Sequence, residues 1–225
     1  MAESDFTVFP GALSTAIVDR GVTNGFTPPS GGGSWVYGWH SLQPNAGGSG
    51  LYYNDVNFAP TAKGGSFRIA MRRIAGVDCT PILYGCLQGA DVGHVGYLIG
   101  LAHDESPARI VIAKGAPSSG LPLANAIAQS TAAYQVDQWL HLRIDIIVQP
   151  SGDVELQVFE NNLGSNAVTS PVWTAVAGLE SFVDDALGIN SGSQPYLSGY
   201  CGFAYYTRTT GRYAFVDHYE PFRQN

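Results

Sequence analysis

The stretch WLHLRIDIIVQPSGDVELQVFENN, residues 139–162, most narrows what this chain can fold into. From Leu140 onward the even positions are Leu140, Leu142, Ile144, Ile146 and Val148, while the odd ones include His141, Arg143, Asp145 and Gln149. A period of two is the signature of a strand with one buried face. QPSGD then supplies Pro150 and Gly152 for a tight connection, and Val154, Leu156 and Val158 resume the apolar face. The segment predicts a β-hairpin.

The same grammar recurs along the chain. GSFRIAMRRI alternates Phe67, Ile69 and Met71 against Ser66, Arg68 and Arg72, and TPILYGCLQG follows the turn-like GVDC. GYLIGLAHDESPARIVIAKG holds two apolar runs separated by DESPA, a second hairpin. Strands also fit SWVYGWHSL, LYYNDVNF, GYCGFAYYTR and RYAFVDHYE. Two segments leave helix open. LPLANAIAQSTAAY is rich in Ala but begins with Pro122 and carries Ser130 and Thr131, which suits a short helix or an ordered loop. LESFVDDALG spaces Leu179, Phe182, Val183 and Leu187 at helical intervals before Gly188, and equally accommodates a strand. The expected class is therefore all-β: an antiparallel β-sandwich with at most one or two short helices.

Residues 21–34, GVTNGFTPPSGGGS, are loop-forming by composition, and too few residues precede them for an independent domain. Residues 1–33 are read as an N-terminal strand and Gly/Pro-rich loop or arm of the same domain, and residues 34–225 as the β-sandwich. Strands from the two chain ends are expected to close a sheet, with DFTVF pairing with RYAFVDHYE.

Charge narrows the partners. Charged residues make up 13% of the chain, against about 25% in an average protein, which suits a surface that other protein covers. The net charge of −7 argues against a nucleic-acid binder, which needs a basic patch. Arg68, Arg72 and Arg73 form the only local basic group, and salt bridges to a neighbouring acidic subunit are expected of them. No apolar run approaches the roughly 18 residues of a membrane span. No signal peptide is read in MAESDFTVFPGAL, so synthesis in a cytoplasm is expected. Cys79, Cys86 and Cys201 lack a paired CxxC pattern and are expected to be buried thiols.

With the hairpin placed, a family pattern becomes visible. Trp139 to Asp145 reads W-x-x-L-R-I-D, a Ser-Gly-Asp turn follows at 151–153, and the partner strand runs from Val154 into an Asn-rich end at Asn162. Gly199 to Phe203 reads G-x-x-G-F, and Phe215 to His218 reads F-x-D-H. In this order the motifs resemble the concanavalin A-like or laminin-G-like jelly roll. DDALG and NSGSQPY ahead of the last two strands resemble the version found in tailed-bacteriophage virion proteins. That resemblance implies a structural component of a particle (capsid decoration, tail or fibre) whose partners are other virion proteins and copies of itself, with host surface glycans as a further partner. The fold alone does not supply function.

Retaining glucanases on this fold need Glu-x-Asp-x-x-Glu or Glu-x-Asp-x-Glu on one strand, with carboxyls about 5 Å apart. DVEL at 153–156 and ESFVDD at 180–185 do not match, and the former reads as a solvated hairpin end; Glu155 and Glu220 are the carboxylates a hydrolase would have to use. GGSGL and NSGSQ lack the spacing of a nucleophile elbow. His40, His94, His103, His141 and His218 are dispersed without an H-x-x-x-H pair, so zinc is not expected. Asp184, Asp185 and Asn190, or Asp104 and Glu105, are the groups a structural calcium would use, and turn or cap roles are the expectation for both. No catalytic residue, metal or cofactor is assigned.

For sugar, lectin-like sites use aromatic platforms beside amides or carboxylates. SWVYGWHSL sets Trp35, Tyr37 and Trp39 on one side of a strand, and LYYND adds Tyr52 and Tyr53. These five are the ligand-binding candidates, with core or subunit interface as the competing reading. In GRYAFVDHYEPFR, Asp217, His218 and Glu220 look like an acid/base cluster. On a regular strand, however, Asp217 points away from His218, and His218 and Glu220 share a side with Val216.

Overall fold

The computed structural model describes residues 65–74, 78–89, 93–162, 168–208 and 213–224, together with the backbone of four short strands between residues 7 and 52. Those four are β1 (Thr7–Val8), β2 (Ala16–Asp19), β3 (Val36–His40) and β4 (Leu51–Tyr52). The predicted alternation becomes β5 (Gly65–Ile74), β10 (Leu140–Val148) and β11 (Val154–Asn161). The apolar runs become β6 (Cys79–Leu87), β7 (Gly96–Leu101) and β8 (Ala108–Gly115). The remaining strands are β9 (Ala126–Tyr134), β12 (Trp173–Ala175), β13 (Phe182–Asp184), β14 (Tyr200–Thr207) and β15 (Tyr213–Gln224).

Two antiparallel sheets stack. The larger has the order β12-β11-β10-β5-β15-β3-β2, with β13 also paired to β11. The smaller has the order β14-β6-β7-β8-β9. The core between them takes Phe67, Ile69 and Met71 from β5, Leu142, Ile144 and Ile146 from β10, and Val154, Leu156 and Val158 from β11. Facing them are Leu83, Ile99, Ile110, Ile112 and Phe203 from the smaller sheet. Those from β5, β10 and β11 are the positions the period of two assigns to the apolar face, each worth about 1.5–3 kcal/mol when fully buried.

Apart from its edge strand β9, the smaller sheet is buried on both faces. Its far side holds Ile82, Tyr84, Leu98, Val111 and Tyr206 in a second cluster. This explains why β6 and β7 read as unbroken apolar runs: strands covered on two sides have no polar parity to display. Part of the cover is the connection from β8 to β9, with 3-10 turns at Pro117–Ser119 and Leu123–Asn125. Leu121, between the turns, is fully buried in this cluster.

Two expectations change and one open alternative is decided. The Ala-rich LPLANAIAQSTAAY forms one 3-10 turn and then strand β9, neither the short helix nor the ordered loop expected of it. Pairing with β8 and the Ser130 hydroxyl, which accepts from the Ile110 amide at 3.0 Å, outweigh Ala propensity. LESFVDDALG resolves to its strand alternative, β13. The N-terminal β1 pairs with β4 rather than with the C-terminal strand, and the partners of β15 are β3 and β5.

The closing strand departs from regular alternation. Its register on β5 shifts between Asp217 and Glu220 and again between Glu220 and Arg223. One extra residue in a bulge transfers everything beyond it to the opposite face. Val216 is therefore buried in the core, whereas Glu220 lies opposite Arg68 and pairs with it on the outer face. The shared side expected for Val216 and Glu220 is thereby corrected. The side chains of Asp217 and His218 lie outside the described residues.

Candidate functional site

On β10 and β11 the odd positions face away from the core. In the antiparallel register Arg143 stands opposite Phe159 on one side and Arg68 on the other, while Asp145 stands opposite Gln157 and Ser66. The Arg143 guanidinium lies 4.0 Å from the centre of the Phe159 ring and 5.6 Å from that of Trp173 on β12. Its Nη2 donates to Asp145 Oδ2 at 3.0 Å. The result is a half-buried row of two aromatic rings, a guanidinium between them and a carboxylate beside it.

A buried layer holds this row in place. Asn161, 5% exposed, donates from Nδ2 to His141 Nδ1 at 3.3 Å and accepts from the Val172 amide at 3.0 Å. The His141 ring meets Trp173 edge-on, with centres 4.8 Å apart. Strand β12 and its indole are thereby pinned to β10. Burial pushes the Asp145 carboxyl up from its ordinary value, and Arg143 pulls in the opposite direction. Arg68 Nε, Arg143 Nε and Asp145 Oδ1 are buried without a hydrogen-bond partner among the described residues. Buried polar atoms of native proteins are rarely left unpaired; Arg72 Nε and Arg73 Nε share this condition elsewhere on β5, and the three named here fall on adjoining positions of one sheet face.

The candidate acids are already engaged. Glu155 accepts from Ser181 Oγ at 2.6 Å and Gln157 Nε2 at 2.8 Å, and these bonds hold it below the ordinary carboxylate range. A glycosidase general acid requires the opposite shift. Glu220 is paired with Arg68. Asp153 accepts from Ser151 and from the Ala186 amide, closing the hairpin end.

The arginines serve the chain itself. Arg72 Nη2 meets Asp137 at 2.7 Å, and Arg73, fully buried, donates to the carbonyls of Ala102 and Glu105. Of the three arginines expected to bridge to a neighbouring subunit, Arg73 is excluded by its full burial, while Arg68 and Arg72 have partners within the chain. The short run of basic residues straddles a strand, so alternate members meet different intramolecular partners.

The residues weighed for calcium also have fixed partners. Asp185 accepts from the amides of Leu187 and Ile189, Asn190 donates to the Val183 carbonyl, and Asp104 accepts from the Leu123 amide. Glu105 lies beside Arg109. Asp184, fully buried, is the anion of an ion pair with Lys114 Nζ at 2.6 Å. It also accepts from the hydroxyls of Tyr97 and Ser191. Burial, with the bond to Asp184, pushes the Tyr97 phenol well above its ordinary value. Among the described residues no three His, Cys, Asp or Glu side chains converge on a point that could hold a metal.

Of the aromatics proposed from sequence, Trp35 and Tyr53 lie outside the described residues. Tyr37 and Trp39 fall on β3, in register with Val216 and Ala214, and Tyr52 on β4 opposite Thr7. Their side chains lie outside the described residues as well. The row Arg143, Phe159, Trp173 went unnoticed in the sequence. Its signal is Phe159, an aromatic on the parity otherwise held by Glu155 and Gln157.

No protein-family model and no curated protein matches the chain. Solved structures do resemble it. The Emp46p carbohydrate recognition domain is similar in its potassium-bound form, with a TM-score of 0.51 at 10% identity over 99% of this chain and 89% of that one. Its metal-free form gives 0.52 at 9% identity over the same shares. The protein of unknown function SO2946 from Shewanella oneidensis MR-1 gives 0.50 at 8% identity, over 96% of this chain and 80% of that one. At such identities the likeness is one of fold. The chain has an all-β, antiparallel jelly-roll sandwich fold of the concanavalin A-like kind.

Proposed function

We propose that the protein is a non-enzymatic glycan-binding module, and that the outer face of its larger sheet, around Arg143, Asp145, Phe159 and Trp173, is the surface that meets the sugar. The observation that carries this reading is the half-exposed aromatic row with a guanidinium held 4.0 Å over Phe159 and a carboxylate 3.0 Å from that guanidinium. A pyranose presents an apolar face of C–H groups and an edge of hydroxyls. Rings suit the first, and a donor beside an acceptor suits the second. The likeness of fold to a carbohydrate recognition domain supports the same reading. Binding to an array of neutral and uronic-acid-containing polysaccharides, followed by titration calorimetry, tests it. Absence of product release from the polysaccharide that binds tests the non-enzymatic part.

A second reading, a structural component of a bacteriophage particle as capsid decoration, tail or fibre, is favoured by one feature. The loop after β13 exposes Leu187 at 78% and Ile189 at 74%. Apolar side chains displayed this way suit contact with another protein or a further copy of the chain. The virion would then be its location, and its presence in purified particles tests that placement. Glycan binding on one face and attachment through the loop are compatible roles.

A further inference from the structure

The end of the sandwich holds an ammonium in an oxygen cage. Lys114 projects from β8, and its Nζ lies 2.6 Å from Asp184 Oδ2, 2.7 Å from Ser191 Oγ and 2.8 Å from the Ser193 carbonyl. The Gln194 carbonyl at 3.0 Å and Ser193 Oγ at 3.1 Å complete it. The rings of Tyr196 and Tyr97 flank the same nitrogen, with centres at 5.1 and 5.7 Å. The Lys114 side chain is 7% exposed and that of Asp184 is fully buried.

The count and chemistry of these neighbours resemble a coordination shell. An ammonium has three protons to donate, yet five oxygens surround it. One is a carboxylate and four are neutral, so a single positive charge balances the cage. The two π faces attract a cation without adding net charge. Four of the five distances, 2.7–3.1 Å, exceed the roughly 2.3–2.6 Å of calcium–oxygen bonds, the carboxylate at 2.6 Å sits at the upper limit of that range, and all five exceed the roughly 2.0–2.1 Å of magnesium–oxygen bonds. Size and charge together fit a large monovalent cation.

We propose that the cage is a monovalent-cation site whose resident cation is the Lys114 ammonium itself, and that potassium or ammonium ion occupies it when the amine is removed. The tether joins three elements: β8 of the smaller sheet, β13 of the larger, and the loop of Ser191 to Gln194. The Tyr97 hydroxyl adds a parallel link, donating to Asp184 and accepting from the Tyr196 amide at 3.1 Å. Lysine thus makes this end of the sandwich independent of the salt around it.

The test is the Lys114→Ala variant, prepared and melted in choline, sodium, potassium or ammonium chloride at equal ionic strength. The parent chain should unfold at nearly the same temperature in all four. The variant should show a depressed midpoint in choline, with a saturable rise on titration of potassium or ammonium, as specific binding to the folded state requires. Lys114→Ala/Asp184→Asn, which removes the only carboxylate of the cage, should lose that rise. Equal recovery in choline, no recovery in any salt, or a Lys114→Ala chain that stays insoluble even in potassium and ammonium would each overturn the proposal. A selective rise that survives in the double variant would overturn it too, because the cation would then be bound elsewhere.

Discussion

The Leu121 amide donates to Nδ1 of His103 at 3.0 Å, and the imidazole that accepts it is 4% exposed. An accepting Nδ1 belongs to the neutral ring. Burial lowers the His103 pKa from 6.5, and Arg208 acts in the same direction against Asp104 and Asp78. Because the folded value lies below the unfolded one, stability is complete above about pH 6.5 and is lost as pH falls through the lowered folded pKa. Urea midpoints between pH 8 and pH 5 should therefore decline in the parent more steeply than in His103→Gln. Parallel profiles would show that His103 does not carry this dependence.

Arg73 spans from β5 to the carbonyls of Ala102 and Glu105 and is fully buried. Arg73→Met keeps most of the stem but leaves both carbonyls without their donor. Unsatisfied buried groups cost about 1–3 kcal/mol each, so a loss on the order of 2–5 kcal/mol is expected in chemical denaturation. Arg73→Lys should recover only part of it, since one ammonium does not reproduce the fork.

Gly120 closes the first 3-10 turn with φ of 72°, and a Cβ there would stand 2.6 Å from Cε1 of Tyr206. Gly120→Ala combines a left-handed backbone with a clash against a buried ring. A loss of about 1–3 kcal/mol follows from such strain. A control, Gly192→Ala, shares the positive φ of 71° but meets nothing within 4 Å, so the difference between the two variants isolates the clash.

The hairpin was legible because one parity of 140–158 is apolar throughout, and the core uses that parity. Other features were hidden for identifiable reasons. A strand buried on both faces shows no alternation, so TPILYGCL announces an element without saying what covers it. The bulges of β15 cannot be read from RYAFVDHYEPFR, because register is set by β5 rather than by the strand's own residues. Strand β9 carries a composition better suited to helix, and only its partner β8 decides the matter. For the candidate site, Phe159 stood in plain sight on a polar parity. Its meaning required Trp173, which comes alongside β11 through the pairing of Phe159, Glu160 and Asn161 with β12.

Removal of Trp173 should weaken binding without unfolding the chain, since β12 is a short edge strand and the indole is half exposed. Loss of one aromatic and its stacking corresponds to about a ten-fold drop in affinity, or about 1.4 kcal/mol. Arg143→Ala should do the same through the hydroxyl-facing edge, whereas Arg72→Ala, on the same sheet face but paired with exposed Asp137, should leave affinity unchanged.

The most direct measurement of the proposed function is titration calorimetry of the parent, Trp173→Ala and Arg143→Ala against the polysaccharide selected on the glycan array, with circular dichroism establishing the fold of each. The account predicts saturable binding by the parent and at least about a ten-fold loss in both variants with their fold intact. A folded parent that binds no glycan, or variants that bind as the parent does, would contradict it.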